Sequence, residues 1–494
     1  MSPLAGSDAS RVAWLIALVA LAIRLAFAAL IPLTEDEAYY RLWALHPRFG
    51  YLDHPPMIAW WIAPGLALLP DGPLGVRFLV CLSGLIATIL VADTVRQLGW
   101  EEATQTRAAL WFNAMPLVGF GGVLATPDAP ATLFWIGSLW ALARVGLPET
   151  GKGRPGYWLL AGVFAGLGCL SKYTGLFLAP GVVLWLLMDA RMRGWLMRPW
   201  PWLAALVAVL VFAPNVWWNA THEWASFAKQ FGRADATGWQ PVYVAELLVA
   251  QIVLISPVLA LFVVRGFGRE SRARLALVWV TLVPFAAYLV VHALRDSVQG
   301  NWPAPIYPAL AMLAAVGGGL SGPRLWAWLA KAAAPLGIAL SALVLAAAIQ
   351  PQMDSFVRIA PLKQLRGWPD FMRDVEGARS AVDARWIGTV SYGTAANLAL
   401  RTAIPVAQIT ERNRYLYTTP PNLAGVGLIV DLERRLSVKQ LKGCFGEVQT
   451  LGQIDRKGPV RPVARYSFYR VSTPLADIAS SGCITLERTN NAIR

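Results

Sequence analysis

The sequence predicts an α-helical polytopic membrane bundle followed by a small mixed α/β domain, and three observations carry that prediction. Apolar residues fill 56% of the 494 positions and charged residues only 15%, too little charge to cover a soluble protein of this length. Apolar runs of roughly 18 residues or more recur along positions 1–350. From 351 to 494 the runs shorten, charge rises and strand-like stretches replace them.

In chain order, about eleven membrane helices are expected. They lie near 12–32, 74–95, 108–125, 128–146, 157–170, 174–188, 201–218, 243–264, 275–293, 303–320 and 332–350. The first run, Val12 to Ile31, exceeds the apolar stretch of a signal peptide and meets an acidic cluster at once, so it reads as a retained helix. Arg24 within it is costly in lipid and is expected to face the bundle interior or water. The run 157–170 is short and is expected to form a broken or re-entrant pair with 174–188, as happens where backbone lines a cavity. The 23 tryptophans suit aromatic belts at the two interfaces.

Orientation follows from the loops. One set carries Arg96 and Arg107; Arg144, Lys152 and Arg154; Arg191, Arg193 and Arg198; Arg265, Arg269, Arg272 and Arg274; and Arg324 and Lys331. The opposite set is longer in total but holds only Arg41, Arg48, Lys172, Lys229, Arg233 and Arg295. The first set is therefore read as cytoplasmic, with the N-terminus, and the loop 33–73 and the domain 351–494 as periplasmic. The net charge of +14 is spread over short loops between apolar segments, which argues against nucleic acid and for anionic lipid or an anionic substrate.

In 351–494, "RWIGTVSY", "GVGLIVDL" and "RYSFYRVS" read as strands and Phe371 to Val382 as helix, enough for a separate core. Cys444 and Cys483 lie there, either as a disulfide or as two separate buried thiols, whereas Cys81 and Cys169 lie in apolar helices.

The chemistry concentrates on the outer side. In "LTEDEAYYRLWALHPRFGYLDHPPMIAWW", Thr34 or Asp36 can start an interfacial helix whose first turn holds Glu35, Asp36 and Glu37. Asp53-His54 precede Pro55-Pro56, which hold the preceding residues extended before an apolar helix. The loop thus reads as helix, turn, helix along the bilayer surface. The carboxylates are then either solvated caps or the start of an active site. His46, His54, His222 and His292 all fall on this side. A transporter would place charges at mid-membrane within inverted repeats, and no such repeat is visible; it and a noncatalytic assembly subunit stay as alternatives.

The loop resembles the first outer loop of the GT-C membrane glycosyltransferases: the protein O-mannosyltransferases and the bacterial enzymes that transfer aminoarabinose or galacturonic acid to lipid A. Asp36-Glu37 matches their Asp-Glu after the first helix. Tyr51-Leu52-Asp53-His54-Pro55-Pro56 resembles the Tyr-Phe-Glu-Lys-Pro-Pro stretch of the aminoarabinose enzymes, with Asp for Glu and His for Lys. "ATPDAPATLFW" places Asp128 where the family has an acid between its third and fourth helices. "GLGCLSKYTGLFLAPG" places Lys172 on its Leu-Ser/Thr-Lys element, and "NWPAPIYPALAML" matches the Pro-rich start of a late helix. The resemblance spans most of 12–350 and implies an inverting transfer from a polyprenyl-phosphate sugar to lipid A, another glycan or a protein.

That chemistry has definite needs. A hydroxyl nucleophile requires a base, for which Asp36 is the candidate, with Glu37 orienting Asp36 or the acceptor. A departing phosphate requires a cation, for which Lys172 is the candidate, with Tyr173 beside it; a snorkelling lysine is the ordinary alternative. His54, if protonated, would aid phosphate binding, and Asp53 and Asp128 would bind sugar or pair with Arg or Lys. No cofactor is implied with certainty; a divalent metal at Asp53 with His54 or His222 is a weak candidate because the spacing matches no metal signature. The segment "WNATHEWASFAKQF" around His222 reads as an aromatic lid or a surface helix.

Overall fold

The structure is a computed structural model that describes residues 8–147, 154–232, 238–268, 272–355, 357, 360–459, 461–475 and 477–482. It contains two compact units, Met1–Ala29 with Asp53–Leu345, and Leu30–Leu52 with Ala346–Arg494.

Among the described residues, the regular structure of the first unit is helical, as the apolar runs require. Among the described residues, five helices are long and apolar enough to cross a membrane: Asp8–Leu30, Pro73–Gln97, Pro199–Ala220, Ala276–Ala293 and Arg324–Ile349. The expected run at 243–264 is not one straight helix: Val242–Ile255 and Pro257–Gly266 meet at an angle of 100°. Pro257 lacks an N–H and its ring excludes the preceding residue from helix, so the chain turns at Ser256. Pro116 likewise ends Glu102–Ala114 short of the expected 125. The short apolar helix Gly156–Ser171 is followed by a 3-10 turn, Tyr173–Phe177, and then Leu178–Met188, the interrupted pair that the sequence led us to expect.

Buried charge in this bundle draws polar neighbours, although Arg24 Nε and Nη1 have no hydrogen-bond partner among the described residues. Arg24 is buried, and its Nη2 donates to Asn113 Oδ1 at 2.8 Å and to the Val118 carbonyl at 3.3 Å. Asp93, 2% exposed, accepts from Arg96 Nε at 2.8 Å and Trp140 Nε1 at 2.7 Å and pairs with Arg144. The Arg144 guanidinium also lies 3.9 Å from the centroid of the Trp140 ring.

The second unit is built on a five-stranded sheet, β1 (Trp386–Thr389), β2 (Val406–Gln408), β3 (Gly427–Leu432), β4 (Phe445–Lys457) and β5 (Pro462–Pro474), in the order β2-β1-β3-β5-β4. β1 is parallel to β2 and β3, while β5 runs antiparallel to β3 and β4. Side chains alternate across it. Leu428, Val430, Tyr466 and Phe468 pack under the helix Trp368–Ala381 through Trp368, Phe371 and Val375, and Ile429, Tyr469 and Val471 form the opposite core with Trp386 and Phe445. The expected strand stretches contain β1 and β3, and the third lies within the longer β5. The two strands not expected, β2 and β4, are the sheet edges, one only three residues long and the other largely polar. Arg366 caps the end of Arg324–Ile349, donating to the Ala348 carbonyl at 2.8 Å and the Ala347 carbonyl at 2.5 Å while pairing with Asp354 at 2.9 Å. Cys444 is disulfide-bonded, and Cys483 lies outside the described residues; Cys81 and Cys169 are buried thiols.

Breaking a buried pair strands its partner's charge. Asp93→Asn should therefore destabilise the solubilised protein by about 3–5 kcal/mol, read as a lower midpoint of heat-induced aggregation. The double variant D93L/R144M should recover most of that loss; if it unfolds like the single variant, the charge pairing is not the cause.

Candidate functional site

In the first unit the interrupted helix pair sets the geometry. Gly156–Ser171 ends at Lys172, which turns extended (φ −157°, ψ 138°) while its N–H still bonds the Gly168 carbonyl at 3.0 Å. The next turn folds back closely: a Cβ on Gly175 would fall 2.7 Å from the Gly168 carbonyl carbon, so only glycine fits. Lys172 Nζ is thereby delivered to Asp128 Oδ1 at 2.6 Å. Asp128 opens the helix Asp128–Leu142 immediately after Pro127, where the positive end of the helix favours its charge. Its other oxygen, Oδ2, accepts from Asn301 Nδ2 at 2.6 Å. Lys172, Asp128 and Asn301 thus converge from three segments far apart in sequence. Both members of the ion pair are only slightly exposed, at 11% of each side chain.

Tyr173 faces the other way. Its hydroxyl donates to Asn215 Oδ1 at 3.1 Å and accepts from Asn219 Nδ2 at 3.4 Å, both on Pro199–Ala220, and its ring meets Phe227 edge-on at 5.0 Å. Phe227 belongs to the short helix Ala225–Phe231, entered through Glu223 and Trp224 at φ 55° and 56°. Two residues on, Lys229 Nζ pairs with Asp53 Oδ1 at 2.6 Å, and Gln230 donates to the Asp53 carbonyl. The segment around His222 is therefore fastened to Asp53 and to Tyr173. His222 itself lies flat on Trp218, ring centroids 4.2 Å apart, with Nδ1 2.8 Å from the Trp218 carbonyl. His54 is half-buried ahead of Pro55. Among the described residues, no group of three His, Cys, Asp or Glu side chains converges as a metal site would need.

In the second unit, the acidic run opens the helix Glu35–Leu45 as its spacing promised. Thr34 caps it: Glu37 N donates to Thr34 Oγ1 at 3.2 Å, and Glu37 Oε2 accepts from Thr34 N at 3.0 Å and Thr34 Oγ1 at 3.1 Å. Glu37, fully buried, is thus engaged in shaping the first turn. Asp36 is half-buried, and its Oδ1 accepts from the Tyr392 hydroxyl at 2.9 Å. Glu35 lies against Gly393, and burial pushes its carboxyl above the ordinary range, opposed by Arg456 and Arg435 and reinforced by Asp36.

Each predicted residue of the first unit has a partner or a neighbour, but they form linked pairs rather than one cluster: Lys172 with Asp128, Tyr173 with the two asparagines, Asp53 with Lys229. Sequence reasoning missed Asn301, Lys229 and Tyr392. Asn301 stood at the head of the quoted "NWPAPIYPALAML", and Lys229 in the quoted loop; nothing in the sequence marked Tyr392.

The family model for dolichyl-phosphate-mannose-protein mannosyltransferase matches residues 53–218, which include Asp53, His54, Asp128, Lys172 and Tyr173. The chain is 28% identical over 298 residues to the lipid A galacturonosyltransferase RgtD of Rhizobium johnstonii, a match covering 56% of this chain and 59% of that protein. It is 26% identical over 282 residues to an undecaprenyl phosphate-alpha-4-amino-4-deoxy-L-arabinose arabinosyl transferase of Pseudomonas fluorescens, covering 53% of this chain and 47% of the other. The matches thus span about half the length of these curated relatives. Its fold is that of the ArnT structure from Cupriavidus metallidurans bound to undecaprenyl phosphate, with a TM-score of 0.65 at 14% identity, covering 92% of this chain and 97% of that one. The resemblance to membrane glycosyltransferases read from the motifs therefore holds in sequence and in fold, and the chain is a multi-pass membrane protein with an ArnT-like GT-C architecture.

Asp53→Asn and Lys229→Met should each speed backbone hydrogen exchange in Ala225–Phe231 by about tenfold, the effect of losing one charge-assisted hydrogen bond. Exchange at the wild-type rate in both variants would show that the pair does not fasten this helix.

Proposed function

We propose that this chain is an integral membrane glycosyltransferase of the bacterial inner membrane. It takes a sugar from a polyprenyl-phosphate carrier and passes it, with inversion, to a hydroxyl or phosphate of an acceptor on the periplasmic face. Lipid A is the favoured acceptor, ahead of another glycan or a protein. The observation that carries the reading is the Lys172–Asp128–Asn301 cluster, an ammonium fixed at a helix break within the segment that matches the mannosyltransferase family model. The likeness to a lipid A galacturonosyltransferase supports the choice of acceptor.

In the proposed reaction Asp36 removes the proton of the acceptor hydroxyl as its oxygen attacks the anomeric carbon. The bond from that carbon to the phosphate oxygen breaks, its electron pair leaves with the polyprenyl phosphate, and the proton passes from Asp36 to water. One displacement inverts the anomeric centre. Glu37 orients Asp36 by shaping the first turn of Glu35–Leu45. Lys172 stabilises the departing phosphate, Asp128, itself held by Asn301, holds Lys172, and His54 supplements the phosphate site when protonated. Asp53, engaged by Lys229, serves to fasten the helix Ala225–Phe231. About eleven spans, with the N-terminus cytoplasmic and a catalytic bundle over 1–350 ahead of a periplasmic domain over 351–494, complete the proposal.

Mass spectrometry of lipid A and other glycans from cells with and without the gene should reveal the transferred sugar on its acceptor. With that product as readout, Asp36→Asn should lower transfer about 10²–10⁴-fold at unchanged membrane abundance, and Lys172→Met about 10²–10³-fold. Wild-type transfer in the Asp36 variant would sink the assignment of the base. The ammonium of Lys229 beside Asp53 repels a cation there, so transfer should also survive EDTA; loss reversed by added Mg²⁺ or Mn²⁺ would make the reaction metal-dependent.

A further inference from the structure

The sheet of the second unit has a feature that its connectivity alone creates. β1 lies between β2 and β3 and runs parallel to both, so the strand order reverses at β1. In open α/β sheets the crevice beyond the carboxyl ends of the strands at such a reversal is where ligands settle. Here the chain leaves β1 through Val390 and Ser391 directly into the helix Tyr392–Ala399, whose N-terminal end therefore opens at that crevice. The exit is held rigidly. Asp431, at the end of β3 and fully buried, accepts from Thr389 Oγ1 at 2.6 Å, Val390 N at 2.5 Å and Ser391 N at 3.2 Å, and Ser391 Oγ caps Thr394 N at 3.3 Å.

The acidic first turn of Glu35–Leu45 docks on this helix end. Tyr392 donates its hydroxyl to Asp36 Oδ1 at 2.9 Å. Gly393 makes room for Glu35, since a Cβ there would lie 2.5 Å from Glu35 Oε2. The Tyr392 ring is itself fixed: Tyr39 packs on it at 5.0 Å between centroids, and the Arg414 guanidinium lies 4.5 Å from its centroid. Arg414 is paired with Glu411, and its carbonyl accepts the Tyr39 hydroxyl at 3.2 Å. The hydroxyl of Tyr392 therefore has a set direction, and the positive end of its helix adds to the attraction for the carboxylate.

We propose that Tyr392 is a positioning residue for sugar transfer, its hydroxyl holding the Asp36 carboxylate in the orientation from which it accepts the acceptor's proton. The inference rests on the reading of Asp36 as the base. It gives the C-terminal α/β unit a part in the chemical step itself, through a side chain that acts on the base. A hydrogen bond donated to a carboxylate favours its ionised form, so removing the hydroxyl should raise the pH at which Asp36 takes up a proton. Among the described residues, the charged and titratable groups near this turn include Glu35 and Glu37 on its own helix, Tyr39, Arg414 with Glu411, and Arg456, Arg435 and Tyr466, which act on Glu35. All of them stay in place when Tyr392 becomes phenylalanine, so a difference between the two profiles reads the hydroxyl alone.

The test uses the full-length chain in membranes, with the sugar product that distinguishes cells with and without the wild-type gene as readout. Tyr392→Phe should lower the rate about tenfold to a hundredfold near neutral pH and move the acidic limb of the pH–rate profile to higher pH, with the aggregation midpoint unchanged. Asp36→Asn, run alongside, should lower transfer about 10²–10⁴-fold at every pH. A D36N variant lowered to that extent together with a Y392F variant of wild-type rate and profile overturns the role of Tyr392 alone. A Y392F loss without any shift of the acidic limb, following a lowered aggregation midpoint, also overturns it, because the tyrosine is then a packing residue. Full transfer by D36N overturns the assignment of the base and this inference with it.

Discussion

A charge inside an apolar helical bundle must find a partner, and that constraint organises the first unit. Removing an ion from water costs several kcal/mol even after relaxation, so each such side chain draws distant segments together. Lys172 and Asp128 join the end of Gly156–Ser171 to the start of Asp128–Leu142, and Asn301 adds a third segment. Asp93 gathers Arg96, Trp140 and Arg144. Arg24 ties the first helix to Asn113 and to the Val118 carbonyl beside the break at Pro116. The polar residues are few, and for that reason they specify which helices are neighbours more sharply than the leucines and alanines around them can.

The same constraint explains what could be read in advance. Helix positions followed from hydropathy because lipid leaves the backbone no other economical option, and the places where whole helices were expected and broken ones occur, Met115-Pro116 and Ser256-Pro257, carry the proline responsible. Lys172 and Asp128 were legible because charge in an apolar run is conspicuous. Their pairing was not, since it spans 44 positions. Asn301 hid in a motif as an uncharged residue. Tyr392 was beyond reach: a tyrosine in a soluble segment is ordinary, and its meaning lies in a strand-order reversal that no local pattern encodes. The edge strands β2 and β4 were missed because an edge has only one neighbour and tolerates short or polar sequence.

The acidic run at 35–37 shows how one short stretch divides its labour. Glu37 is taken by the capping box and Glu35 packs on Gly393, while Asp36 accepts a well-directed phenol. A carboxylate used as a base must stay ionised and well aimed, and a hydrogen bond donated by a neutral O–H contributes to both.

For Lys172 the opposite logic applies, and its pairing with Asp128 does not disqualify it from phosphate. An ammonium carries three N–H donors, and one carboxylate oxygen at 2.6 Å occupies one of them. The sugar-bearing carrier is a phosphodiester with one negative charge, whereas the carrier left after transfer is a monoester that approaches two. A fixed cation therefore interacts more strongly with the departing group than with the bound donor, which is the differential stabilisation that accelerates a reaction rather than merely tightening binding. In the proposed reaction Asp128 would moderate this from the other side. By offsetting part of the lysine's charge it would weaken the hold on the spent carrier, so that the product can leave, and by fixing Nζ it would spare the site the entropy of ordering a four-carbon side chain at the moment of reaction.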